Sequence, residues 1–150
     1  MDLADAEQLC TLLLAEHLPG WSFSYDRAYV RFGRTWPDRR RITLSAALVA
    51  ANAPEVVRDT MLHEIAHGLT PDDGHGERWR HQAAALGADP KRRYDSGRVR
   101  AARPRGRCPS CGATFYRKQD GGACGRCCER HNGGNYDIRF RILWSDAPSR

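Results

Sequence analysis

Two histidines four residues apart, with a glutamate after the first, stand in the run Met61-Leu62-His63-Glu64-Ile65-Ala66-His67-Gly68-Leu69. On a helix, positions i and i+4 share a face with Cβ atoms about 5–6 Å apart, so both imidazoles reach a single ion. Glu64 lies one position round, close enough to act on a water at that ion without ligating it. A zinc that does chemistry has three protein ligands and one open position. His75 is the best third candidate: it follows His67 across a loop containing Pro71, and Gly74 and Gly76 flank it, letting the backbone fold close to the helix. Glu77 is a second candidate, set inside the next helix. The chemistry implied is hydrolysis. Zinc lowers the pKa of its water to about 7 and polarises a carbonyl, and Glu64 takes the water's proton and passes it to the leaving amine.

A second metal set stands near the end of the chain. Cys108-Pro109-Ser110-Cys111 and Cys124-Gly125-Arg126-Cys127 are two C-x-x-C units, the spacing of a structural zinc held by four thiolates. Gly112 and Gly125 help a tight knuckle round the ion. Cys128 could replace Cys127 as fourth ligand, but only Cys127 keeps the two-residue gap. Such a zinc supplies most of the folding free energy of so small a unit. In a cytosolic chain paired C-x-x-C units favour zinc over disulfides.

The elements that must position these residues follow from periodicity and breakers. Residues 2–18 read as an amphipathic helix through Leu3, Ala6, Leu9 or Cys10, and Leu13, ended by Pro19-Gly20. Trp21–Tyr25, Ala28–Phe32 and Arg40–Ser45 read as three short strands, antiparallel because their connections are short. Gly33 ends the second, and Trp36-Pro37-Asp38 is a turn. Arg39-Arg40-Arg41 reads as a solvated start to the third strand, phosphate contact being its other use. A short helix near 45–49 precedes a helix from Pro54 to about Leu69, whose apolar face runs through Val57, Met61, Leu62, Ile65, Ala66 and Leu69. After the Thr70–Gly74 loop, a helix from about Glu77 to Leu86 puts Trp79, Ala83 and Leu86 on one face. Residues 91–103 form a basic linker between a domain at 1–90 and the cysteine module at 104–144. Tyr94 in that linker is a packing residue, or an oxyanion donor by its loop placement. The module closes on an alternating strand, Tyr136 to Trp144, and Phe115 and Tyr136 furnish its small core.

Charge divides the chain in the same place. Residues 1–90 hold 9 Lys/Arg against 13 Asp/Glu, a net of −4, whereas residues 91–150 hold 15 against 5, a net of +10. A segment this basic suits a polyanion. Arg105, Arg107, Arg117, Lys118, Arg126, Arg130, Arg139 and Arg141 surround the cysteines, with aromatics among them, a mixture that suits single-stranded or distorted nucleic acid, plain surface exposure being the alternative. No apolar run reaches the roughly 18–20 residues of a membrane span, and the acidic start lacks the basic region of a signal peptide. The expectation is a cytoplasmic protein with no membrane association.

His63-Glu64-Ile65-Ala66-His67, Gly74-His75-Gly76 with Trp79 three residues on, Ile42-Thr43-Leu44-Ser45, the early Trp21-Ser22-Phe23 and the Cys-rich tail together resemble the SprT-like family, which includes the Spartan proteases that digest proteins crosslinked to DNA. The resemblance implies an α+β fold: a zincin-like helical metalloprotease subdomain with a small three-stranded sheet, followed by a zinc ribbon. It implies zinc on His63, His67 and His75, with Glu64 as catalytic acid/base. The spacing argues against a metzincin, whose third histidine comes six residues after the second where His75 comes eight after His67, and whose methionine turn has no counterpart downstream here. Two functions stand. One is a zinc metallopeptidase acting on protein substrates on or near nucleic acid, brought there by the basic ribbon. The other is a zinc-stabilised nucleic-acid-binding module whose histidine site is inactive or structural.

Overall fold

In a computed structural model of the chain, which describes residues 1–91, 104–116 and 122–145, the polypeptide forms two compact units, Met1–Ala101 and Ala102–Arg150. The fold is α+β, with one three-stranded sheet in each unit. No helix among the described residues is long and apolar enough to cross a membrane. Arg92 to Arg103, and Tyr94 with them, lie outside the described residues, as do Arg117 and Lys118.

The first unit begins with helix α1, Leu3–His17, capped by the Asp2 carboxylate on the Ala4 amide. Strands β1 (Ser22–Asp26), β2 (Gly33–Trp36) and β3 (Arg41–Ser45) follow. A 3-10 turn over Pro37–Arg39 joins β2 to β3, with Arg40 in the left-handed region at φ 45°. Helices α2 (Ala46–Ala51), α3 (Pro54–Leu69) and α4 (Glu77–Leu86) complete the unit. Pro54 starts α3 where its missing N–H costs nothing, and left-handed Gly87 stops α4.

The sheet order is β1-β3-β2, with β1 parallel and β2 antiparallel to β3. The all-antiparallel expectation is therefore corrected for one pair. β1 and β2 run in opposite directions, as a short connection requires, but β3 is inserted between them and so lies parallel to β1. The second strand is also displaced: it starts at Gly33, which the sequence marks as an end, and Trp36 belongs to it rather than to a turn.

Alternation along the strands sets two faces. Ile42 and Leu44, paired with Thr35 and Gly33, are fully buried in a core with Cys10, Leu14, Leu48, Val57, Met61, Leu62, Ile65, Ala66 and Trp79. This cluster holds α3 against the sheet. Leu69, expected on the apolar face of α3, is exposed, and Glu64 is buried in its stead.

In the second unit, β4 (Arg105–Arg107) pairs antiparallel with both β5 (Thr114–Phe115) and β6 (Leu143–Ser145), and helix α5 spans Gly125–Asn132. The long strand expected over 136–144 does not form. The Asp137 side chain accepts the Arg139 amide and turns Ile138–Phe140 into a 3-10 turn, leaving three residues for β6. Phe140 then fills the core with the cysteines, Phe115 packs at its edge, and Tyr136, expected inside, is exposed.

Candidate functional site

Helix α3 brings His63 and His67 to one side, and the loop before α4 brings His75 to meet them. His75 Nε2 lies 3.2 Å from His67 Nε2 and 3.2 Å from His63 Nε2. A tetrahedral zinc with Zn–N bonds of about 2.0–2.1 Å separates its ligand nitrogens by roughly 3.3–3.4 Å. The three histidines thus present a zinc-sized face, and they form a group that can hold a metal ion. Glu77 is exposed in the first turn of α4 and lies outside that group. Burial first, and then neighbouring His75, push His67 down to about 4, so its ring is neutral and its lone pair available at neutral pH.

Trp79 is the floor of the site. Its fully buried ring lies 4.7, 5.2 and 4.5 Å from the rings of His63, His67 and His75. Helical spacing places it with Ala83 on a core face but gives no sign that three imidazoles pack around it, His67 stacked and the other two edge-on. The loop carrying His75 is tied down by Asp73, which accepts the Trp79 amide at 2.8 Å, and by Arg80, which donates to the His75 carbonyl at 3.0 Å. The Trp79 amide above all, with Arg78 adding to it, holds the Asp73 carboxyl below the usual range. Gly76 makes room for this cap: a Cβ there would stand 2.6 Å from an Asp73 carboxylate oxygen.

Glu64 is held from the sheet side. The residue is only 8 % exposed. Thr35 Oγ1 lies 2.7 Å from the Glu64 main-chain oxygen and 2.8 Å from Oε2, sharing its single proton between them. Gly33 faces the same side chain, and a Cβ at Gly33 would stand 2.6 Å from both Cγ and Oε1 of Glu64. Sequence reasoning missed Thr35 and Gly33. The available signal was a glycine and a threonine two residues apart next to a strand, which alone is weak.

In the second unit Cys108, Cys111, Cys124 and Cys127 place their Sγ atoms within 4.8 Å of one another, and the quartet can hold a metal ion. Cys108 to Cys127 is 3.8 Å and Cys111 to Cys124 is 3.7 Å. Zn–S bonds of about 2.3 Å predict a tetrahedral edge near 3.8 Å. Cys128 is buried beside Phe140 and is not in the quartet. All six cysteines are free thiols. Of the basic residues round the quartet, Arg105, Arg107, Arg126, Arg130 and Arg141 are exposed, while Arg139 is engaged by Asp137 at 2.6 Å.

A family model described as SprT-like matches residues 5–98. No curated protein and no solved structure matches the chain. The matched span contains most of α1, the first sheet, helices α3 and α4 and all three clustered histidines, and on that extent the chain belongs to the SprT-like family.

Proposed function

We propose that the chain is a cytoplasmic zinc-dependent metallopeptidase of zincin-like fold, carrying a catalytic zinc on His63, His67 and His75 and a structural zinc in a C-terminal ribbon on Cys108, Cys111, Cys124 and Cys127. The observation that carries it is the meeting of three imidazole nitrogens at zinc spacing beside a carboxylate braced by a strand. Zinc bound there supplies Lewis acidity, which activates water near neutral pH and polarises a carbonyl. Glu64 takes the proton of the attacking water and delivers it to the leaving nitrogen, with Thr35 and Gly33 fixing its carboxylate for both transfers. β2 is an edge strand next to Glu64, paired only with β3 in its sheet, so an extended peptide can add to its open side by main-chain hydrogen bonds. The basic ribbon brings the enzyme to nucleic acid, so its protein substrates are nucleic-acid-bound ones.

Burial of Glu64 favours one other reading, a nucleic-acid-binding module in which the histidine site is structural. Metal analysis and one variant separate the two. The peptidase carries two zincs per chain, and Glu64→Gln keeps both, keeps the fold and loses DNA-stimulated cleavage of itself or of a DNA-binding protein. Wild type that cleaves no more than Glu64→Gln, with and without DNA, leaves the module.

A further inference from the structure

The first sheet carries a second cluster, on the face the histidine site does not use. With Gly33 and Thr35 turned to α3, alternation puts Arg34 and Trp36 on the opposite face of β2, and Arg41 is the cross-strand partner of Trp36. The Arg34 guanidinium lies 3.7 Å from the Trp36 ring centroid, that of Arg39 5.4 Å and that of Arg41 5.9 Å. Arg40 adjoins them at the turn. Four of the nine basic residues in positions 1–90, a span whose net charge is −4, fall between 34 and 41.

None of these four arginines forms an ion pair among the described residues. Asp26, the carboxylate on the same face of β1, is held by Arg31 at 2.6 Å and by the Thr43 hydroxyl at 3.1 Å. Gathering three guanidiniums round one indole sets like charges against each other, and the ring offsets only about 0.5–1 kcal/mol for each at an exposed site. Asp38, the one carboxylate within the run, is exposed and forms no ion pair with them, so the cluster can accept an anion from outside the unit. The Arg34–Trp36 stack adds a planar surface, which selects among anions: a carboxylate-rich peptide has nothing to lay on it, and the bases of a duplex are already stacked on each other.

We propose that this face of the first unit binds single-stranded nucleic acid, with Arg39, Arg40 and Arg41 on successive phosphates and a base laid on the Arg34–Trp36 stack. It is a site separate from the ribbon arginines. It stands whether or not the histidine site hydrolyses peptides, because its test is binding alone.

The test uses the full zinc-loaded chain with Glu64→Gln, so that nothing is cleaved, and follows the anisotropy of a fluorescein-labelled oligothymidylate across a salt series. Arg34→Ala/Arg39→Ala/Arg41→Ala binds more weakly, and its plot of log K against log salt is shallower by about 1.4, from two phosphate contacts at about 0.7 each, with a further salt-independent loss from the missing stack. Arg39→Ala/Arg40→Ala, which leaves the Arg34–Trp36 stack in place, is shallower by about 1.4 and decides the matter if the triple variant unfolds. Parental affinity and slope in the folded variants overturn the proposal. Polyglutamate of equal charge displaces the labelled strand poorly; displacement as effective as by unlabelled oligothymidylate makes the surface an acidic-protein site and also overturns it.

Discussion

Gly33→Ala perturbs the candidate site by a single methyl group. The new Cβ stands 2.6 Å from Cγ and Oε1 of Glu64 and 2.9 Å from its Cδ. Ordinary contact begins at 3.4 Å, so the Glu64 side chain must retreat by roughly 0.8–1 Å, the kind of overpacking that strains a core. Two stability terms oppose each other. Overpacking costs about 1–3 kcal/mol, and removing a glycine from the unfolded chain returns about 0.4–1 kcal/mol. The net loss is at most about 2–3 kcal/mol and can be near zero. Activity responds more steeply, because a misplacement of about 1 Å in a catalytic group costs on the order of a hundredfold in rate, or about 2.7 kcal/mol of transition-state stabilisation.

The assay is kcat and KM on a protein substrate, with zinc content and melting temperature measured on the same preparation. The expected outcome is two zincs, a modest shift in melting temperature, little change in KM and a kcat lower by about a hundredfold. Thr35→Val moves the same way, and Thr35→Ser restores activity, since the hydroxyl and not the methyl touches Glu64. Full kcat in a folded, zinc-loaded Gly33→Ala would refute the reasoning, because Glu64 would then be free to work from more than one position. Loss of the histidine-site zinc would refute it differently, by making Gly33 a support of α3 instead of the carboxylate.

Three other outcomes follow from the same geometry. Cys108→Ser loses one of two zincs by elemental analysis and melts the second unit, whereas Cys128→Ser keeps both, since Cys128 lies outside the sulfur quartet; zinc loss in the Cys128 variant would reassign the fourth ligand. Burial, reinforced by Glu7, pushes the Cys10 thiol up to about 12, so iodoacetamide at mildly alkaline pH leaves Cys10 unmodified in the folded protein and labels it only in denaturant; mass spectrometry showing native labelling would contradict the packing of α1. In the metal-free protein His67 titrates near 4 instead of its ordinary 6.5. The unfolded chain then takes the proton first, so this contribution to stability is intact above about pH 6.5 and drains away as pH falls towards 4. Urea midpoints in the His67→Gln variant should lose that slope, and an unchanged slope would place the titration elsewhere.

Helices and the two clusters that can hold a metal ion were legible in the sequence because each rests on local information. Pro54 and Gly87 bracket the two site helices, the i, i+4 histidines sit on one of them, and the two C-x-x-C units carry their own spacing. Strand order was not legible, because β3 takes the centre as the most buried of the three strands, a property of the assembled core. The segment 136–144 alternates like a strand, yet the Asp137 side chain captures a backbone amide, and a local hydrogen bond outcompetes the ladder.

Two glycines have a common cause. Gly33 looked like the end of a strand, which it is not, and Gly76 looked like room for the backbone to fold close beside His75. Each stands where a Cβ would meet a carboxylate at 2.6 Å, that of Glu64 and that of Asp73. One carboxylate is the proposed proton carrier and the other caps the loop that delivers the third histidine. A buried or tightly bonded carboxylate needs donors close by, and closeness is what a side chain on the neighbouring residue prevents. Gly33 and Gly76 thus mark places where polar groups of the site are packed against backbone. A local rule fails there because the site needs the space, which is where sequence-level rules are expected to fail.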